Sequence, residues 1–259
     1  NSTGSTSSLT VNGTAALSGS ITTKNDQTYN GIATLQGNTT LTSTNGSITF
    51  ADQVRSSVDK SYSLTVSASQ GIATISGAIG GNFTGSTLTS AARLDSLSVT
   101  ALTINLNADI WTGSSQTYNG AVVIGGTNSG TTGYLYSHYI DVTPASPASS
   151  SPALYQNSQN YARTLISEDP LVQINGTVND AVVGTHTLLV AAISSPSTSS
   201  PEVDFNGSIG NTSKLYSVNS QTIQRSGGSS SNSLLGTIIV PATVNTTSAQ
   251  YFRGSTVVS

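Results

Sequence analysis

QTYNG occupies residues 27–31 in the frame NDQTYNGIATL and returns at residues 116–120 in the frame SSQTYNGAVVI, 89 residues later. A degenerate third copy, Gln250-Tyr251-Phe252-Arg253-Gly254, follows 134 residues after Gln116 when Gln and Gly are aligned. Both separations are near multiples of about 22 residues, and such a period with short strands and turns is the signature of a parallel β-solenoid. Each coil of that architecture stacks on the last and buries its inward side chains in one continuous core. A second pattern, apolar-x-Gly-small-apolar, recurs in TISGAIGG (74–81), QINGTVND (173–180) and DFNGSIGN (204–211), with worn forms in TVNGTAAL (10–17) and TFADQVRS (49–56). At roughly 4.8 Å per coil, about ten coils would make a rod near 50 Å long. Tyr29 and Tyr118 are expected at equivalent corners or faces, and the Asn-Gly after each supplies a turn that tolerates positive φ.

Composition agrees with this reading. Asp, Glu, Lys and Arg make up 7% of the 259 residues, against about a quarter in ordinary soluble domains. Stacked coils would set like charges roughly 5 Å apart, whereas Asn, Ser and Thr can form hydrogen-bonded ladders. A net charge of −3 and eight scattered basic residues offer no basic stripe, so nucleic acid is not an expected partner. No stretch approaches the apolar length of a transmembrane helix, and no membrane insertion is expected. There is no Cys and no Met, which removes disulfides and the most oxidisable side chains and suits extracellular life. The chain does not start with Met, and the sequence reads as a processed or excised piece of something longer.

Short runs rich in β-branched residues fill the chain, among them YSLTVSA (62–68), LSVTALTINL (97–106), LVQINGTV (171–178) and HTLLVAAI (186–193), separated by Gly, Asn and Ser. They predict strands. No helical period holds over a useful length, the best stretch being 159–168, so almost no helix is expected. Tandem Ig-like β-sandwiches, with sequence-adjacent antiparallel strands and a linker near 143–152, are the alternative fold.

The run QTYNGIATLQGNTTLTSTNGSITFADQV, followed by YSLTVSASQGIATISGAIGG and LDSLSVTALTINLNADIWTGSSQTYNGAVVI, resembles the repeat region of filamentous-haemagglutinin-like large exoproteins of Gram-negative bacteria. The resemblance covers residues 8–126, and the rest only through pieces such as 171–180 and 203–211. It implies a right-handed parallel β-helix, secretion to the extracellular cell surface, and adhesion to a protein or glycan on cells or biofilm matrix. An NPNG-type amino-terminal secretion signature and a carboxy-terminal membrane barrel are missing. The expected organisation is regular solenoid repeats over 1–131, a Tyr- and Pro-rich insertion over 132–169, and less regular repeats over 170–259.

The insertion holds Tyr134, Tyr136, Tyr139, Tyr155 and Tyr161, five of the ten tyrosines. Loops held by a rigid scaffold commonly carry function, and Tyr offers a flat apolar face with a polar tip at little entropic cost. These five are the candidate binding residues; a cap packed on the rod is the competing reading. ISSPSTSSPEVD (193–204) reads as a plain linker loop.

Catalysis finds no support. Adjacent Glu168 and Asp169 would point to opposite sides of a strand, and Glu202 and Asp204 could share a side but lack a nearby basic partner in sequence. His138 and His186 have no metal-ligand spacing and read as solvated or turn positions. No enzyme activity, metal or cofactor is expected. Nine N-x-Ser/Thr sequons occur, as such a composition yields by chance. Thr-rich TLTST (40–44) appears once without regular return, which argues against an ice-binding ladder. Beside the adhesin stands a second function class, a structural subunit that polymerises through its terminal segments, 1–10 or STVVS (255–259), by strand addition.

Overall fold

The computed structural model describes residues 7–80, 82–84, 87–89, 92–126, 161–167, 171–194, 200–224 and 236–259. The described residues are strands, turns and bridges with no helix. All strand pairings among them are parallel except one short hairpin, Asn82–Thr84 with Thr87–Thr89. A sandwich of sequence-adjacent antiparallel strands is therefore not the architecture. The long parallel sheet is consistent with a β-solenoid.

The registers sort the strands into three walls that the chain visits in fixed order. The first wall begins with Leu9–Val11, Gln27–Tyr29 and Ile48–Phe50 and continues through 73–75, 104–106 and 122–124 to Val178–Asp180. The second holds 15–17, 33–35, Val54–Ser56, Ile110–Thr112, Tyr161–Ser167, His186–Ser194, Ser217–Gln224 and Gln250–Arg253. The third runs from 19–23 and 39–43 through 64–67, 97–100 and 116–118 to Leu171–Ile174, Glu202–Phe205, Thr237–Val240 and Ser255–Val258. Long strands such as Ala15–Thr23 and Gln116–Ile124 serve two walls by bending at a corner, where the register shifts.

Alternation drives the packing. In Leu97–Leu106 the buried residues Leu97, Val99, Ala101, Ile104 and Leu106 face inward while Ser98, Thr100 and Asn105 face out, the period-two pattern of a half-buried strand. Inward residues from all three walls form one core from Ala15 to Val240. His186–Ser194 departs from this, being buried along its whole length.

A constant period of about 22 does not survive the register. Successive partners along the third wall are 20, 25, 33, 19, 56, 31, 35 and 18 residues apart. The shortest coils show what three walls and three corners need; the longer ones carry extra chain between walls.

The recurrent Asn-Gly corners stack on one another. Asn30 Nδ2 donates to Asn12 Oδ1 at 2.8 Å, Asn175 Nδ2 to Asn119 Oδ1 at 2.6 Å, and Asn206 Nδ2 to Asn175 Oδ1 at 2.8 Å. The amide ladders anticipated from composition thus form at two different corners. Glycine follows because the backbones touch: a Cβ on Gly176 would lie 1.8 Å from the Gly120 carbonyl oxygen, and one on Gly31 2.6 Å from that of Gly13. Gly176→Ala is expected to destabilise the chain by about 2–4 kcal/mol, while Gly13→Ala, with nothing within 4 Å of its Cβ, stays within about 0.5 kcal/mol. Chemical denaturation of the two variants checks this.

Candidate functional site

The duplicated pentapeptide is structural. Tyr29 and Tyr118 are fully buried, each donating its hydroxyl to the Gln two residues earlier: Tyr29 to Gln27 Oε1 at 3.0 Å, Tyr118 to Gln116 Oε1 at 2.9 Å. The ring of Tyr29 stacks on Phe50, its register partner in the next coil, with centroids 5.3 Å apart. The two copies do not occupy equivalent walls as anticipated. Gln27 lies in the first wall, and its whole-coil equivalent in the later coil is Val122, six residues beyond Gln116. Gln116 lies in the third wall and Gln250 in the second.

What the three copies share is a way of turning a corner. Thr23, Thr112 and Thr246 stand four residues before Gln27, Gln116 and Gln250. Each Thr Oγ1 donates to the carbonyl two residues on, Thr23 to Asn25 at 2.6 Å, Thr112 to Ser114, and Thr246 to Ser248 at 2.7 Å. The Gln amide then reaches back across the bend: Gln27 Nε2 donates to Ile21 O at 3.3 Å and Thr42 O at 2.8 Å, Gln116 Nε2 to Thr112 Oγ1 at 3.2 Å, and Gln250 Nε2 to Val244 O at 2.9 Å. Thr-x-x-x-Gln-x-Tyr/Phe is legible in the sequence, but aligning the copies on QTYNG alone conceals it.

Tyr134, Tyr136, Tyr139 and Tyr155 lie outside the described residues, as do His138, Glu168 and Asp169. Tyr161 opens a strand, Tyr161–Ser167, that pairs with Ile110–Thr112 on one side and His186–Ser194 on the other. The part of 132–169 from Tyr161 to Ser167 is therefore wall. Tyr161–Ser167 reads as a strand because Leu165 sits inward between Thr164 and Ile166.

Four longer stretches share a neighbour in sequence. Residues 81–91 interrupt the second wall between Ile79 and Ile110. Residues 127–160 precede its strand Tyr161–Ser167, and 195–199 and 225–235 follow His186–Ser194 and Ser217–Gln224. Each of these four stretches adjoins a second-wall strand in sequence, whereas short turns such as 24–26 and 175–177 join the third wall to the first.

His186 marks the root of the longest. It is buried, 4% exposed, so the solvated or turn position expected from sequence is corrected: its ring is held by Asp180 on the same coil and by Gly126 on the neighbouring one. Its Nδ1 lies 2.5 Å from Asp180 Oδ1 and its Nε2 3.1 Å from the Gly126 carbonyl oxygen, where the chain leaves the wall. Its backbone is the ladder partner of Tyr161, where the chain returns. Asp180 also accepts the backbone N–H of Val182, Thr185 and His186 at 3.0, 2.9 and 2.8 Å. Both carboxylate oxygens and both ring nitrogens thus face partners within the chain.

A second knot flanks residues 81–91. Arg93 Nη2 lies 2.6 Å from Asp59 Oδ2, Arg93 Nε lies 3.1 Å from Asp59 Oδ1, and the guanidinium sits 4.7 Å over the Trp111 ring. Burial works against the Asp59 carboxylate, yet hydrogen bonds and charge from Arg93, with the charge of Lys60, hold it below its ordinary value of 3.8. Stacking and bidentate pairing suit Arg and would not suit Lys.

Of the carboxylates singled out from sequence, Asp204 is buried and accepts Gln173 Nε2 and Asn206 Nδ2, each at 2.9 Å. Glu202 shares its strand, with side chain on the same side and partly exposed. Among the described residues no group of three or more His, Cys, Asp or Glu could hold a metal ion, and no helix is long and apolar enough to cross a membrane. Comparison with known protein families, curated proteins and solved structures finds no match.

Two predictions follow from this chemistry. Burial pushes Tyr29 up to about 12 from its ordinary 10.0, and Tyr118 well above 10.0. The unfolded phenols ionise first, so stability is full below pH 10 and falls as pH rises towards about 12; the Tyr29→Phe Tyr118→Phe variant flattens that fall in denaturant titrations. Asp180→Ala leaves the buried His186 ring and three N–H donors without their carboxylate and is expected to lower stability by about 3–5 kcal/mol, read by chemical denaturation.

Proposed function

We propose that this chain is a segment of a secreted, surface-exposed adhesin of a Gram-negative bacterium. The parallel stack is its stalk, a right-handed β-helix, and residues between the walls contact a protein or glycan on cells or matrix. The observation that carries this reading is that the four longer stretches, 81–91, 127–160, 195–199 and 225–235, each adjoin a strand of one wall in sequence. A stalk that confines its variable chain to one side presents several segments to one partner surface. The Tyr-rich stretch 127–160 is the longest, and the buried Asp180–His186 pair anchors both its roots. The motif resemblance over residues 8–126 supports export and adhesion. A non-enzymatic role accords with an Asp–His pair whose polar atoms all face partners within the chain.

The test replaces residues 128–159, which include Tyr134, Tyr136, Tyr139 and Tyr155, with a short Gly-Ser linker. Binding of labelled chain to host cells, bacterial cells and glycan arrays should fall by roughly tenfold or more, with the β-sheet circular dichroism and thermal midpoint retained. Unchanged binding by a folded variant would remove the adhesive role from this stretch.

A second reading, self-association through terminal strands, rests on the end layers. Leu9, Val11 and Ile21 at one end and Val244 and Phe252 at the other are only partly buried against the core, and Val258 is 70% exposed. Continuing the registers sets Val244 against Leu9, Phe252 against Ala15 and Val258 against Ile21 of a second copy, apolar against apolar in all three walls. Sedimentation velocity over a concentration series should then show head-to-tail oligomers; a monomer at all concentrations rejects this reading.

A further inference from the structure

The adhesive reading leaves one wall without a role. Along the first five strands of the third wall run the tripeptides SIT (20–22), TLT (40–42), TVS (65–67), SVT (98–100) and TYN (117–119). The middle residue of each points to the core, and Leu41, Val66, Val99 and Tyr118 are almost wholly buried. The first and third residues point outward and are exposed or partly exposed. The registers set first against first and third against third through all five strands without a shift. Two straight files result, nine of whose ten side chains are Ser or Thr, the tenth being Asn119.

Coil lengths of 20, 25, 33 and 19 residues separate these tripeptides, which is why TLTST looks solitary in the sequence. Among the described residues, only Thr100 and Asn119 of the ten side chains hydrogen-bond to another side chain. The remaining hydroxyls are presented outward. Beyond Asn119 the array stops, since the next strands place Gln173, Asp204 and Ile239 in line with Thr117.

The array has a two-dimensional repeat, about 4.8 Å from strand to strand and about 6.6 Å along a strand between alternate residues. It carries no charge, so an ionic ligand finds no counter-charge on it. It carries no outward aromatic ring, so a sugar ring finds nothing to stack on. Thr is stiff at χ1, and the buried middle residues fix the strands beneath, so little side-chain freedom is lost when the hydroxyls are ordered. Such a surface fits a partner that is neutral, planar, hydrogen-bonding and itself periodic.

We propose that this face binds ice. Ice is a surface of this kind, neutral, hydrogen-bonding and periodic in two dimensions: the hydroxyls take the place of lattice oxygens, and the Thr methyl groups sit in the openings between them. Each contact is weak, and their simultaneous engagement by a rigid array gives the affinity. In sequence TLTST (40–44) recurs at no constant interval, but the registers stack its Thr files on those of four other coils.

Partition of the fluorescently labelled 259-residue chain into a slowly growing ice front tests the proposal. The chain should be enriched in the ice by roughly tenfold or more over a globular control protein. Thr65→Tyr, at the centre of the array, should abolish the enrichment. Thr49→Tyr, on the outward side of the first wall, should leave it intact. Thr65→Lys serves the same purpose if Tyr at this position impairs folding, as circular dichroism will show. The variant lacking 128–159 should still enter ice, which separates this face from the adhesive stretch. Exclusion of the unaltered chain from ice overturns the proposal, as does equal loss in the Thr65 and Thr49 variants or loss in the variant lacking 128–159.

Discussion

Each side chain in a wall stands about 4.8 Å from its counterparts in the strands above and below, and that spacing governs what every position can hold. Charged residues in register would repel at this distance, so uncharged donors and acceptors take their place. The Asn12–Asn30 and Asn119–Asn175–Asn206 ladders turn the same proximity into hydrogen bonds. Where whole backbones turn in register, even a Cβ is too large, and glycine follows Asn at each such corner. The scarcity of charge and the repeated Asn-Gly are thus two results of one constraint.

Inside the stack, polar groups are accepted only where they close on themselves. Gln27 and Gln116 are fully buried, and each offers its carbonyl oxygen to a buried Tyr hydroxyl and its amide N–H back across the bend. Because the corner is complete within a few residues and its neighbouring coil, it serves at any of the three corners. Coils whose partners lie 18 residues apart can then stack on coils whose partners lie 56 apart. Two polar pairs sit beside second-wall strands. Asp180 and His186 hold Gly126 and the ladder partner of Tyr161; Asp59 and Arg93 close over Trp111 beside residues 81–91.

Local features were legible in the residues. Strands from Leu64, over 97–106 and from Leu171 follow from alternation and β-branching, and a structural role for QTYNG is legible in its repetition. Features that depend on partners far along the chain were not. His186 looks like a surface residue before TLLVAA, but Gly126, sixty residues earlier, meets its ring, and Tyr161 pairs with its backbone. Arg93 gives no hint in sequence that Asp59 and Trp111 converge on it. The weakly periodic stretch 159–168 yields a strand because an edge on each side offers it a backbone ladder.

By itself, the sequence determined the class of the protein: β-branched runs of period two, turn residues between them and too little charge for a conventional surface allow stacked strands and little else. Tertiary structure alone decided the register. A chain with a constant period would display its lattice in one dimension, but here each coil closes after a different number of residues. Equivalent positions are therefore set by backbone hydrogen bonds between coils rather than by spacing along the chain. That is why two copies of QTYNG, alike in sequence, lie in different walls, and why five tripeptides that never recur at one interval line up as a single face.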